Sequence, residues 1–154
     1  RIHLAELHPQ EHSALDLAMS PYPVKCHLSD GFEMAFALTP PTPRRGMLLI
    51  DPSYEIKTDY ETIPRQIAKL NRAWNVGIIA LWYPILTNRA HIPMLDTLAA
   101  NHPDALRHEV RFPPARPGHG MVGSGMFVIN PPYGLETEAQ NLTARFATLT
   151  QQER

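Results

Sequence analysis

The tetrapeptide Asp51-Pro52-Ser53-Tyr54 sets a carboxylate, a ring-locked backbone and an aromatic ring directly after the apolar run Met47 to Ile50. That combination suits one kind of chemistry. An adenine exocyclic amine is a weak nucleophile because its lone pair is delocalised into the ring. Asp51 and the Pro52 carbonyl are able to accept its two N–H bonds and favour the pyramidal geometry needed for attack. Pro52 fixes φ and so the direction of the chain, and Tyr54 is suited to stack on a base extruded from its strand. The plainer reading makes Asp51 a helix cap and Tyr54 a core residue. A second tetrapeptide, Asn130-Pro131-Pro132-Tyr133, keeps both prolines but follows the last strand. The short separation between the strands ending at Phe112 and Ile129 suggests an antiparallel hairpin, which would turn this end away from the site. Residues 130–133 therefore read as a strand-to-helix joint.

Two more carboxylates stand at strand ends, where open parallel sheets bind their ligands. Glu6 ends the first strand and Asp30-Gly31 follows the second. Each is suited to accept a hydrogen bond from a ribose hydroxyl or an adenine amine. Glu6 reads equally as a carboxylate leading into a helix beside His8, and Asp-Gly is more often only a turn. Eight histidines include His8 and His12 at a four-residue spacing, but no spacing fixes a third ligand, so no metal site is expected. Cys26 reads as a strand residue packed in the core, with no neighbour to lower its pKa. Trp82-Tyr83-Pro84 is a candidate base-pocket wall, with packing the plainer role for Trp82. Arg107, Arg111 and Arg116, with His108 and His119, lead into or lie in a Pro/Gly-rich loop over residues 113–125. This basic set is the candidate phosphate contact, against the alternative of a solvated hairpin. Arg44-Arg45 is a second basic point.

The elements that must position these groups follow from the apolar pattern. Strands are expected at residues 2–7, 24–28, 47–50, 76–83, 105–112 and 126–129, the third buried on both faces and the fourth stopped by Pro84. Helices are expected at residues 10–19, 59–73, 87–100 and 135–149. In the first, Leu15, Leu17 and Met19 are candidates for the buried side. Thr58 or Asp59 is available to cap the second, and Pro93 must sit in the first turn of the third or kink it. Buried strands alternating with helices predict an α/β sandwich around a mostly parallel sheet. No linker is long enough to split residues 1–154, which read as a single domain. With 14 Lys and Arg against 15 Asp and Glu, the net charge of −1 excludes a domain-wide basic field. Hydrophobic residues at 44% exclude a disordered chain. A single cysteine excludes a disulfide framework and fits a reducing cytoplasm. No apolar run approaches a membrane span, and Arg1 to Leu4 does not read as a signal peptide.

Several ordered blocks together resemble the RlmJ family of 23S rRNA adenine-N(6) methyltransferases. They are Ala5 to Pro9, Asp30-Gly31-Phe32, Arg44-Arg45-Gly46 through Asp51-Pro52 to Tyr54-Glu55, Lys57 to Tyr60, Ala80 to Pro84, and Ser124-Gly125-Met126 through Ile129 to Pro132. The resemblance implies a Rossmann-like, S-adenosylmethionine-dependent fold with a terminal antiparallel strand. It implies Glu6 and Asp30-Gly31 as cofactor contacts, Asp51 as the catalytic residue, and 23S rRNA as partner. It also treats the Asn-Pro-Pro segment as non-catalytic. Ser53 stands where the family usually has a second proline; Pro52 remains, so the carbonyl geometry is expected to survive in a looser loop. The family's upstream segment, with its first strand and glycine-containing loop, does not match within these residues. In the related fold that strand lies at the centre of the sheet. The expectation is therefore the C-terminal part of a longer enzyme, whose sheet is completed by an upstream segment or another chain. Two alternatives are a DNA adenine methyltransferase, since the amine chemistry is shared, and a truncated, non-catalytic RNA-binding module. Calorimetric titration of S-adenosylmethionine is expected to show weak or no binding to residues 1–154 and binding to a version extended upstream. Tight binding to the short chain would refute the split cofactor site.

Overall fold

A computed structural model describes residues 1–113 and 116–152. The order is β1 (Ile2–Glu6), α1 (Pro9–Met19), β2 (Val24–Leu28), α2 (Gly31–Leu38), β3 (Met47–Ile50), α3 (Asp59–Ala73), β4 (Ile78–Leu86), α4 (Ile92–Asn101), β5 (Leu106–Arg111), β6 (Met121–Ile129) and α5 (Leu135–Gln152). The chain divides into two compact units, Arg1–Thr42 and Pro43–Arg154. None of the helices among the described residues is long and apolar enough to cross a membrane.

In the first unit β1 and β2 pair in parallel, with Glu6 opposite Leu28. Ala35 is its one fully buried hydrophobic residue among the described residues. Helix α1 buries none of its side chains; Leu15 and Met19, four apart on one face, are half-buried, while Leu17 is 76% exposed. Leu17 therefore does not belong to a buried side, because two residues along a helix point nearly opposite ways. Helix α2 is absent from the expected elements. It spans only eight residues, too few for a clear period, and the signal for it was its cap: Asp30 Oδ1 accepts from Phe32 N at 2.8 Å and Glu33 N at 3.0 Å.

In the second unit the strand order is β3-β4-β6-β5. The β3–β4 pair is parallel, and β6 runs antiparallel to both β4 and β5. The expected mostly parallel sheet is thus mixed. The last strand is antiparallel as expected, but lies inside the order rather than at its edge. Strand β6 also begins five residues earlier than expected, shortening the Pro/Gly-rich loop, of which residues 114–115 lie outside the described residues. Met47 and Leu49 are 65% and 57% exposed, so β3 is not buried on both faces. Its alternate residues Leu48 and Ile50 turn inward, as the period of two demands. The core is built from Ile63, Ile67, Leu70 and Trp74 at α3, from Leu81, Tyr83 and Ile85 on β4, and from Met94, Leu95 and Leu98 on α4.

Pro84 does not stop β4; it pairs with Ser124 inside the strand. Ile78 N donates to Gly46 O, so the even-numbered residues of β4 present their backbone groups toward β3. Pairing with β3 ends at Leu81. Position 84 therefore faces an open edge, where a missing N–H costs no ladder bond. Residues 87–91 form a turn rather than the start of α4: Asn88 Oδ1 accepts from Ala90 N at 3.0 Å, and Arg89 has φ +60°. Pro93 then occupies the first helical turn, where its absent N–H is tolerated.

One layer crosses three strands. Tyr83 on β4 lies opposite Gly125 on β6, which lies opposite Glu109 on β5, and the Tyr83 hydroxyl donates to Glu109 Oε1 at 3.0 Å. A Cβ at Gly125 would fall 2.2 Å from the Tyr83 ring. Gly125→Ala is therefore expected to lower stability by about 1–3 kcal/mol through overpacking. Gly120→Ala, whose Cβ would meet nothing closer than 3.9 Å, should be close to neutral. Urea unfolding of both variants checks the contrast.

Candidate active site

Residues 51–54 form the turn that leaves the carboxyl end of β3. Tyr54 adopts φ +57°, a left-handed conformation that is strained for an aromatic residue. Its hydroxyl donates to the Trp82 carbonyl at 2.6 Å, and its ring packs on Tyr60 and Trp82 with centroids 5.0 and 6.1 Å apart. Burial, then the nearby Tyr60 and Asp51, push its phenol pKa upward, so it remains a neutral donor. The strain at Tyr54 is held by this bond and packing. Asp51 is exposed, and among the described residues no hydrogen bond or ion pair engages its carboxylate or the Pro52 carbonyl. Asp51 does not cap α3, whose cap position is Thr58, without a side-chain bond.

The other tetrapeptide lies at the opposite end of the sheet. Ile129 pairs with Ile79 near the start of β4, whereas Ile50, just before Asp51, pairs with Leu81. Asn130, at φ +52°, donates through Nδ2 to Asn75 O at 3.0 Å and Gly77 O at 2.8 Å. It pins the approach to β4, and residues 130–133 are a strand-to-helix joint. Arg44 is similarly engaged: its guanidinium reaches Ala73 O at the end of α3, and its own carbonyl accepts from Trp74 Nε1 at 2.8 Å.

Glu6 and Asp30 stand at the carboxyl ends of β1 and β2 in the first unit. Each is half-buried with one oxygen committed to backbone: Glu6 Oε1 accepts from His8 N at 2.7 Å, and Asp30 Oδ1 caps α2. The second oxygen of each has no protein hydrogen bond among the described residues. A Cβ on Gly31 would meet nothing within 4 Å, so its backbone is open to close approach. This donor-seeking pair fits the hydroxyls and amine of a nucleoside-bearing cofactor. Within the same unit His3 Nδ1 and His27 Nε2 lie 2.9 Å apart in a stacked pair. Among the described residues no group of three His, Cys, Asp or Glu is arranged to hold a metal. Burial, with Asp16 nearby, raises the Cys26 thiol pKa, against a nucleophilic role.

The basic set of the late hairpin is largely committed. Arg107 Nε donates to Glu109 Oε1 at 2.8 Å, and Arg111 Nη2 to Glu109 Oε2 at 3.4 Å. Burial works against the Glu109 charge, but bonds from Arg107 and Tyr83 outweigh it and hold its pKa below the usual carboxylate value. Arg116 is exposed, and His119 has a buried Nδ1 without a partner. Trp82 Nε1 donates to Ser124 Oγ at 2.7 Å, so Trp82 packs across to β6. What residue types alone did not single out is the set around the Tyr54 turn: Lys57, Tyr60, Arg65 and Asn88 line one cavity with it. Lys57 and Tyr60 fall in the Lys57 to Tyr60 block, whereas Arg65 and Asn88 lie in none of the blocks that resemble the family.

A family model described as "Ribosomal RNA large subunit methyltransferase D, RlmJ" matches residues 1–153. The chain belongs to the RlmJ family. It is 37% identical over 143 residues to ribosomal RNA large subunit methyltransferase J of Escherichia coli, covering 92% of this chain and 51% of that protein. It is 36% identical to the Haemophilus influenzae protein of the same name, covering 90% and 50%. The chain thus spans about half the length of these curated relatives. Among solved structures, protein LPL1258 from Legionella pneumophila matches with a TM-score of 0.87 at 32% identity, over 97% of this chain and 56% of that one. A Methanobacterium thermoautotrophicum protein titled precorrin 8W decarboxylase shares the fold alone, at TM-score 0.52 and 12% identity over 83% of this chain and 68% of its own.

His91 supplies a pH test of the framework. It is buried at 2% exposure, and its Nδ1 accepts from Leu86 N at 3.3 Å, which requires that nitrogen unprotonated. Burial lowers its pKa from 6.5. The unfolded chain therefore binds the extra proton first, so this contribution is full above pH 6.5 and is lost as pH falls through the lowered value. His27 and His102, also lowered by burial, act in the same direction. Stability measured by urea unfolding is expected to fall on acidification below pH 6.5, less steeply in His91→Asn. An unchanged pH profile in that variant would refute the assignment.

Proposed function

We propose that this chain carries the base-holding and part of the cofactor-holding machinery of a methyltransferase acting on the exocyclic N6 amine of an adenine in 23S rRNA, with S-adenosylmethionine as donor. The observation that carries this reading is the pair of free acceptors, the Asp51 carboxylate and the Pro52 carbonyl, on a strained turn tied down by Tyr54. Two N–H bonds to these acceptors draw the amine lone pair out of conjugation and aim it, and Asp51 is placed to hold the proton the nitrogen gives up. Alignment of the amine supplies much of the rate. Tyr54 positions the turn through Trp82 and offers a ring to the base. Ser53, in place of the family's second proline, leaves both acceptors in place. S-adenosylmethionine, when bound, supplies the electrophilic methyl group. Glu6 and Asp30, through their unpaired oxygens, with the open backbone of Gly31, are the residues to hold its nucleoside end. Arg116 and His119, with whatever share of Arg107 and Arg111 Glu109 leaves free, are secondary RNA contacts.

The sheet is read as Rossmann-like and lacking its first strand. Among the described residues strand β1 pairs only with β2, and β3 only with β4, which leaves each an open edge. On this reading an upstream segment or another chain supplies the missing strand. Residues 1–154 are then part of a cytoplasmic catalytic domain, and they span about half the length of the curated relatives. In the full-length protein, Asp51→Asn is expected to cut methyl incorporation into 23S rRNA by at least about 100-fold. Cofactor affinity by calorimetry should remain near that of the wild type. Near-normal turnover would overturn the assignment, and preferential methylation of duplex DNA would redirect it to DNA.

A further inference from the structure

A cavity of about 750 Å³ opens beside the Tyr54 turn, between the first half of α3 and the start of α4. That volume is in the range of sites for single small ligands, about 300–1,000 Å³, and far too small for a duplex. Tyr54, Lys57, Tyr60, Arg65, Asn88 and Pro93 line it, and Tyr54 also belongs to the turn that carries Asp51, three residues away in the chain. Glu55 and Glu61 line it too, so its charged groups cancel. The cavity is therefore more than a cation patch: it mixes cations, acceptors and flat apolar faces.

The cations here differ from those of the late hairpin. Arg107 and Arg111 are both bound by Glu109, whereas Lys57 and Arg65 join no ion pair among the described residues, although two carboxylates share their cavity. Asn88 is also oriented. Its Oδ1 is taken by Ala90 N, which leaves the amide NH2 as a donor. Pro64, buried inside α3, has no N–H to give the Tyr60 carbonyl, and both residues line the cavity. The walls thus offer phosphate-binding cations, oriented donors and acceptors, and ring faces, which is what a single unstacked nucleotide requires.

We propose that this cavity holds the nucleotide that flanks the target adenine in single-stranded RNA. Lys57 and Arg65 bind its phosphates, Tyr60 and Pro93 face its base, and Asn88 with the two glutamates meets its polar edge. The assignment rests on the reading of residues 51–54 as the methyl-transfer site. The main RNA contact then lies beside the Tyr54 turn, at α3 and α4, rather than along the Arg107 to His119 segment.

The test uses the full-length protein and an RNA oligonucleotide that contains the target adenine. In the double variant Lys57→Ala/Arg65→Ala, KM for RNA is expected to rise about tenfold with kcat near that of the wild type. The salt dependence of binding, read by fluorescence anisotropy, should become shallower by about 1.4 in log–log slope, about 0.7 for each phosphate that the two side chains neutralise. The charge-preserving pair Lys57→Arg/Arg65→Lys should restore the slope, and Arg72→Ala on the same helix should leave it unchanged. An unchanged KM and slope in a double variant that still methylates overturns the cavity assignment and leaves the methyl-transfer reading intact. An equal loss in Arg72→Ala overturns it as well, by showing a general charge effect. No methyl transfer by the wild-type protein overturns the reading of residues 51–54, and with it this assignment.

Discussion

Strand β4 outruns its parallel neighbour. Beyond Leu81 its backbone faces an edge where β3 no longer runs, yet its side chains belong to the core, so each polar group on that edge needs a partner or must be absent. Three devices meet this constraint. The Trp82 carbonyl accepts from the Tyr54 hydroxyl, position 84 is a proline with no N–H, and Leu86 N donates to His91 Nδ1. The first fixes the turn after β3, and the last fixes the turn into α4. The candidate site lies between those two fixed points.

The same need for partners explains the division of labour among similar residues. Tyr54 bonds to main chain and holds a turn, while Tyr83, buried one strand position from Trp82, crosses Gly125 to reach Glu109. That bond, with Arg107 and Arg111, makes a charge layer over β5 rather than a free basic surface. Asn130, which belongs to the tetrapeptide nearest an amine-methylating pattern, serves as a clamp on residues 75–77. The Asp51 carboxylate, by contrast, takes no hydrogen bond or ion pair from the described residues. The two tetrapeptides thus differ in their bonding: Asn130 is tied into the framework, whereas Asp51 is left open beside the strained Tyr54.

The two compact units differ in how they are held. Pro43–Arg154 has a continuous apolar core drawn from α3, β4, α4 and β6. Arg1–Thr42 buries little, with an α1 that has no buried residue and a single parallel strand pair. An isolated two-stranded pair is marginal in water, and among the described residues of this unit only Ala35 is buried.

Local signals in the amino-acid order were enough to locate the periodic elements. Helix α3 matches its expected bounds, and β2 and β3 match theirs, because caps, breakers and apolar periods act over a few residues. They were also enough to distinguish the two tetrapeptides by their position in the strand order. They did not reveal α2, too short to show a period, nor that Pro84 sits inside a strand, since that depends on where a neighbour stops. Two facts came from the folded chain alone: Glu109 takes up Arg107 and Arg111, and Lys57 and Arg65 join no ion pair beside Tyr54. Charge pairing depends on which side chains a sheet and its helices bring within a few ångströms, and the linear order of residues does not contain that distance.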